Sequence, residues 1–233
     1  MNVLDLFSGI GGMALGLERA GFRSVGFCEL NPYRRAILAK HWPGVPCATD
    51  VHELHAQDVP RFELIVGGPP CQRTSLAAAI QGKRTGETLW PEMARLIEEG
   101  RPEYALIEQP PGNSRWEAQV AADLASLGYH SSRFQRQACH SGAPHQRRRV
   151  FIVAHALLER CNSVSRLAES RQAESVPWPA PPRGAWRAAR AGDRGVDARL
   201  SAWVERIAAL GDTVFPPDAE AIGRAIMKVH HVK

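Results

Sequence analysis

The sequence predicts an α/β fold, with a mostly parallel sheet covered by helices on both faces. Three observations carry that reading. Short apolar runs alternate with stretches of helical spacing through the first two-thirds of the chain. A glycine-rich turn follows the first apolar run directly. A second loop, Gly67-Gly68-Pro69-Pro70-Cys71-Gln72, follows a later run, at the carboxyl edge where α/β enzymes place their chemistry.

Residues 3–7 read as a buried strand, followed by the turn Ser8-Gly9-Ile10-Gly11-Gly12. Met13, Leu17 and Ala20 then recur at helical spacing, and Gly21 stands where that helix should stop. A second strand spans residues 23–29. Asn31-Pro32 starts a helix running to about His41, because asparagine caps well and proline suits the first helical position. Further strands are predicted at 64–66, 104–107, 130–134 and 149–153, and helices at 89–99 and 116–127, the latter stopped by Gly128. After Ala154 the pattern breaks into a Ser-, Arg- and Glu-rich stretch that ends in Pro177-Trp178-Pro179-Ala180-Pro181-Pro182. A last apolar stripe, Ala221, Ile222, Ala225, Ile226 and Val229, predicts a closing helix at 218–229. The division expected is residues 1–154 as the main domain, 155–204 as a linker or reduced appendage, and 205–233 as the return to the main domain.

Composition narrows the function classes. At 233 residues and 44% hydrophobic, the chain can bury a sizeable core. No apolar run approaches the ~18 residues of a membrane span, and the first residues lack the basic and apolar regions of a secretory leader. The five cysteines form no CxxC pair, which argues against a disulfide framework or a zinc module and for a reducing compartment, the cytoplasm. A formal net charge of +5, with a pI of about 9.2, points mildly to a polyanionic partner.

Strand, Gly-x-Gly-Gly turn and helix, with Glu29 ending the next strand 20 residues after Gly9, outline a nucleotide-cofactor site. The same glycines also suit a plain tight turn. The turn lacks the pattern of a dinucleotide fingerprint and the Lys-Ser/Thr of a phosphate loop, so a nucleoside cofactor without pyrophosphate fits better. In the second loop two prolines rigidify the chain around Cys71, which could present a nucleophilic sulfur to the cleft. Cys28, Cys47, Cys139 and Cys161 read as buried, inert thiols.

Asp5-Leu6-Phe7-Ser8-Gly9-Ile10-Gly11-Gly12, Pro69-Pro70-Cys71-Gln72 and His145-Gln146-Arg147-Arg148-Arg149 resemble, in that order, the motifs of the DNA (cytosine-5)-methyltransferases. Leu210-Gly211-Asp212-Thr213-Val214 and the helix after it resemble that family's closing motif. The resemblance implies a Rossmann-like fold that binds S-adenosyl-L-methionine, with a target-recognition region inserted before the closing motif. It implies cytosine-5 methylation of DNA, with base flipping, as in restriction-modification. Cys71 matches the attacking cysteine, Glu108 the glutamate that donates to ring N3, Arg149 the arginine on the base's O2, and Arg147 its neighbour that contacts backbone or the catalytic loop. Phe7, Gly9 and Gly11 would pack around the cofactor, Glu29 would take its ribose hydroxyls, Asp50 would approach the adenine amino group, and Pro70 would line the transfer site. The same carry-over adds Asp5, Ser8, Gly12, Leu30, Val51, Asp212 and Val214 to the cofactor set.

The chain departs from the family pattern in three places. Gln109-Pro110 follows Glu108 where Asn-Val is expected, Asp212 replaces an asparagine, and the insert before the closing motif is short. Asp212 either attracts the cofactor's sulfonium or caps the turn at Pro216-Pro217. The basic run at 133–149, with five arginines and no acid, points to nucleic acid; the arginines at 183–199 add less. Partners expected are double-stranded DNA with a flipped cytosine and, given the short recognition region, an oligomer or partner subunit. The alternatives are an RNA cytosine-5 methyltransferase, or a repurposed member that serves as a nucleic-acid-binding subunit or uses a modified cofactor.

Overall fold

The computed structural model describes residues 1–70, 88–143, 145–156, 210 and 212–231. Cys71, Cys161, Gly211, the proline-rich stretch and the arginines at 183–199 lie outside them. The strands β1 (Asn2–Leu6), β2 (Arg23–Cys28), β3 (Cys47–Ala48), β4 (Leu64–Gly67), β5 (Tyr104–Gln109), β6 (Tyr129–Gln137) and β7 (Arg148–Ala156) form one seven-stranded sheet, in the order β3-β2-β1-β4-β5-β7-β6. The helices described are α1 (Gly12–Arg19), α2 (Pro32–His41), α3 (Trp90–Gly100), α4 (Ser114–Ser126) and α5 (Pro216–His230).

From β3 to β5 every neighbouring pair is parallel. β7 alone runs antiparallel, between β5 and β6. Among its described residues the connection from β6 to β7 holds only a 3-10 turn, Ala138–Ser141. A parallel return needs a crossover of a dozen or more residues, so so short a connection reverses the strand.

Alternation along each strand loads both faces. Leu4, Leu6, Ile65, Ala105 and Ile107 meet Trp90, Met93, Leu96, Ile97, Trp116 and Val120 of α3 and α4. Val3, Leu64, Val66, Tyr104 and Leu106 meet Met13, Leu17, Ala219, Ile222 and Ile226 of α1 and α5. α1 and α5 approach through small residues. A Cβ on Gly16 would lie 2.2 Å from the Pro216 carbonyl oxygen, and one on Gly223 2.8 Å from Ala20 Cβ.

Asn31 caps α2 as expected, its side chain accepting from the backbone N–H of Tyr33 at 2.9 Å and of Arg34 at 3.2 Å. Element ends differ by small, explicable amounts. β1 stops at Leu6 because Phe7 turns to φ 55. α5 begins at Pro216 rather than residue 218, since prolines are at home in a helix's first turn. No sequence pattern marks β3 or the 3-10 turns Ala56–Asp58 and Ala138–Ser141, which are too short to show a period. No described helix is long and apolar enough to cross a membrane.

Candidate active site

The carboxyl ends of β1 and β2 bring the predicted cofactor residues together. Ser8 donates from its hydroxyl to the Asp5 carbonyl oxygen at 2.6 Å and from its backbone N–H to the Cys28 carbonyl at 3.1 Å, which ties the turn to both strands. Glu29 is buried, and its two carboxylate oxygens accept from the backbone N–H of Gly9 at 2.7 Å and of Asn31 at 2.9 Å. Each oxygen keeps a lone pair for a further donor such as a ribose hydroxyl.

The three glycines of the turn have separate jobs. Gly9 has φ 58, and a Cβ there would meet nothing within 4 Å, so its face is open. Gly11, at φ 85, is covered: a Cβ would strike the Trp42 ring at 2.4 Å. Trp42 is fixed by its indole N–H, which donates to Glu18 at 2.7 Å. Gly12 packs on the closing segment, where a Cβ would lie 2.3 Å from Thr213 Oγ1 and 2.4 Å from the Val214 carbonyl oxygen. The geometry gives Gly11 and Gly12 packing duties and leaves Gly9 as the cradle.

Beneath the turn, Asp5 is fully buried, and its Oδ2 has no hydrogen-bond partner among the described residues. Burial, with repulsion from Glu29, pushes its carboxyl up to about 8, against hydrogen bonds from Ala14 and Ser8. Leu30 is 69% exposed beside Glu29. Asp50 accepts from the backbone N–H of His52, Val51 is buried, and Phe7 is partly buried against the core. An open glycine, a buried carboxylate with spare capacity and an orphaned buried oxygen fit a nucleoside-bearing, amino-containing cofactor such as S-adenosylmethionine.

The ends of β4, β5 and β7 bring together Glu108, Arg147 and Arg149. Glu108 is buried and pairs with Arg149, its Oε1 2.5 Å from the guanidinium Nε. Burial raises its carboxyl above the ordinary glutamate value, although Arg149 and Arg147 pull the other way. Gly68 leaves this carboxylate room, since a Cβ there would come within 2.8 Å of Glu108 Oε2 and push it aside. Gln109 donates from its side-chain amide to the Pro69 carbonyl oxygen, which ties β5 to the loop leading into Cys71. That contact gives the Gln109 departure a structural role. Arg147, with φ 28, donates to the Thr213 carbonyl oxygen at 2.7 Å, and burial and Arg149 lower its guanidinium's proton affinity. Pro70 is exposed at the loop's end.

Asp212 does not cap α5: the capping position is Phe215, without a side-chain hydrogen bond. It is 65% exposed and pairs with Arg34 of α2 at 2.5 Å. Val214 joins the apolar cluster under α1 and α5. Of the thiols read as inert, Cys28 is buried and pushed up to about 12 by burial, whereas Cys139 is exposed, a correction to the expectation of burial. Its strand ends at Gln137, so Cys139 sits on a surface turn instead. Arg34, Trp42 and Gln109 were not anticipated as site residues. Only Gln109 carried a sequence signal, its place next to Glu108.

Residues 1–178 match the family model described as C-5 cytosine-specific DNA methylase. The type II methyltransferase M2.BsuMI of Bacillus subtilis is 35% identical over 166 residues, covering 66% of this chain and 42% of that protein. The type II methyltransferase M.AplI of Arthrospira platensis is 31% identical over 157 residues, covering 66% of this chain and 45% of that protein. Among solved structures, a protein described as a DNA modification methyltransferase encoded within an E. coli prophage aligns with a TM-score of 0.56 at 27% identity, covering 67% of this chain and 47% of that one. DNMT2 of Spodoptera frugiperda aligns with a TM-score of 0.55 at 19% identity, over 70% of this chain and 53% of that one, a likeness of fold. The chain spans half or less of the length of the curated relatives it matches.

Proposed function

The chain belongs to the C-5 cytosine-specific DNA methylase family, and on that premise we propose that it transfers a methyl group from S-adenosylmethionine to C5 of a cytosine in DNA. The observation that carries this reading is the buried Glu108–Arg149 pair beside the tethered loop that runs into Cys71. C5 of cytosine becomes a good nucleophile only once C6 carries an adduct. The Cys71 thiolate adds at C6, and the electron pair displaced into the ring needs a proton at N3. Glu108, held toward its protonated form by burial, supplies that proton. Arg149 holds the base's O2, and Arg147 braces the closing segment. Loss of the C5 proton to solvent then lets the C6–S bond of the Cys71 adduct break, which restores the thiolate, and N3 returns its proton to Glu108. When bound, the cofactor supplies an electrophilic methyl group; Gly9 and Glu29, with Asp5, Phe7, Ser8, Leu30, Asp50, Val51 and Pro70, would hold it.

A buried carboxyl cannot reach a base stacked in a duplex, so the cytosine must flip out. Residues 155–204 would be the segment available for reading base edges. We therefore read the target site as short, with arginine–phosphate contacts supplying most of the affinity, and a further subunit as the natural source of any longer site. On this reading the chain works in the cytoplasm as the modification half of a restriction-modification pair.

The test is a covalent trap. DNA carrying 5-fluorocytosine, incubated with the full chain and S-adenosylmethionine, is expected to give an adduct that survives denaturation, because fluorine blocks the final elimination. Cys71→Ser gives none, yet binds the cofactor as before. Absence of an adduct and of 5-methylcytosine with wild type overturns the proposal, and an adduct on RNA alone moves the substrate to RNA.

A further inference from the structure

The connection between β6 and β7 meets the segment entering α5 at three places, along two chains running in opposite directions. Arg147 Nη2 donates to the Thr213 carbonyl oxygen at 2.7 Å. The His145 and Phe215 rings meet edge to face, with centroids 6.0 Å apart. The Asp218 carboxylate accepts from Arg136 Nε at 2.9 Å and from the Ser141 hydroxyl at 2.6 Å, and Arg136 Nη2 also donates to Ser141 at 2.9 Å. Asp218 is 2% exposed and Ser141 5%.

A buried ion pair of this kind seldom adds net stability over apolar residues of the same volume. α5 does not depend on it for docking, because Gly16, Gly223, Ala219, Ile222 and Ile226 already seat that helix on α1 and the sheet. What the network holds is the Ala138–Ser141 turn, from which the chain runs to Arg147 and Arg149. Arg147 has φ 28, a backbone conformation that persists in a non-glycine residue only when its surroundings impose it.

We infer that Asp218 is a positioning residue for the base-binding end of the site: through Arg136 and Ser141 it sets the turn that presents Arg147 and Arg149 toward Glu108. The inference rests on the proposed transfer to cytosine. It gives the closing segment two tasks, packing Thr213 and Val214 on the cofactor turn at Gly12 and bracing the arginines on the other side.

The test uses the full chain. Arg136→Met with Asp218→Leu replaces the pair by apolar residues of similar size. It is expected to unfold at or above the wild-type temperature and to bind S-adenosylmethionine as wild type does. Its kcat on cytosine DNA falls roughly 10²-fold, the scale of a misplaced reacting group. In spectra of 15N-arginine protein the Nε–H resonances of Arg147 and Arg149 move, while that of the remote Arg95 stays. A folded double variant with wild-type kcat and unmoved Arg147 and Arg149 resonances overturns the inference. If the double variant fails to fold, Ser141→Ala, which leaves the ion pair in place, must move the same two resonances; unmoved, they overturn it. If wild type itself transfers no methyl group, the reaction has been misread, and the resonances alone still decide the role of Asp218.

Discussion

Around the glycine turn the site is held by contacts between residues close in sequence: Glu29 takes two main-chain N–H groups, Ser8 ties two strands together, and Gly9 and Gly11 hold positive φ. At the proposed base-binding end the contacts join distant parts of the sequence, with Glu108 on Arg149, Gln109 on the Pro69 carbonyl and Arg147 on the Thr213 carbonyl. The Glu29 and Ser8 contacts join residues close in sequence, and the glycines fail where a Cβ intrudes. Side-chain pairs across elements can each be broken by one change, and each break reaches the chemistry. Added volume is therefore expected to tell most at Gly11 and Gly12, and loss of a single polar side chain to tell most at Glu108, Gln109 and Arg147.

The sharpest break of that contrast is Glu108→Gln. Turnover is expected to fall by about 10²–10⁴-fold, the usual worth of a positioned general acid, with cofactor affinity unchanged. Because burial raises the Glu108 carboxyl, wild-type turnover should decline as pH rises through that raised value, and the variant should lack this limb. Single-turnover rates across pH check both statements; a loss under tenfold would assign the N3 proton to another group.

Volume at the turn comes next. Gly11→Ala forces a side chain into the Trp42 ring at positive φ and should lower stability by about 3 kcal/mol or more. Gly9→Ala meets open space, so it should cost only the conformational penalty of about 1–2 kcal/mol while weakening the cofactor. Denaturant unfolding and calorimetry on the two variants separate packing glycine from cradle glycine. Equal stabilities would erase the distinction.

Asp5 sharpens the comparison through pH. Its carboxyl stands at about 8 in the folded chain against an ordinary 3.8, so the folded state holds the proton more tightly. Its contribution to stability is complete below the ordinary value and is lost as pH rises through that window, levelling off above about 8. Asp5→Asn cannot ionise, so its stability relative to wild type should rise steadily from pH 4 to pH 8. Parallel pH profiles of urea midpoints for the two proteins would refute this.

The smallest effect belongs to Asp212. An ion pair with one partner 65% exposed contributes at most about 1 kcal/mol, so Asp212→Asn should barely move the unfolding midpoint. With Arg34 2.5 Å away, the carboxylate's charge is largely answered, and the preference for S-adenosylmethionine over S-adenosylhomocysteine should shift by less than about fivefold. Calorimetry showing a larger shift would mean that the sulfonium, and not Arg34, is the partner that matters.

Local signals determined much of this molecule. Alternation and glycine stops located β1, β2, β4 to β7 and all five described helices to within a few residues, because strand and helix periods are written in consecutive side chains. Asn31-Pro32 marks the start of α2 in the sequence itself because a cap acts within one turn. Glu108, Arg147 and Arg149 were legible as motif positions, and the structure brings them together. What tertiary structure alone decided is every relation between segments far apart in the chain. The reversal of β7, the sorting of Gly9, Gly11 and Gly12 into one open and two packed positions, the answer of Arg34 to Asp212, and the hold of Arg136 and Ser141 on Asp218 all depend on which surfaces meet. A glycine reads the same in sequence whether a ligand or a tryptophan covers it. Only the packed neighbour tells the two apart.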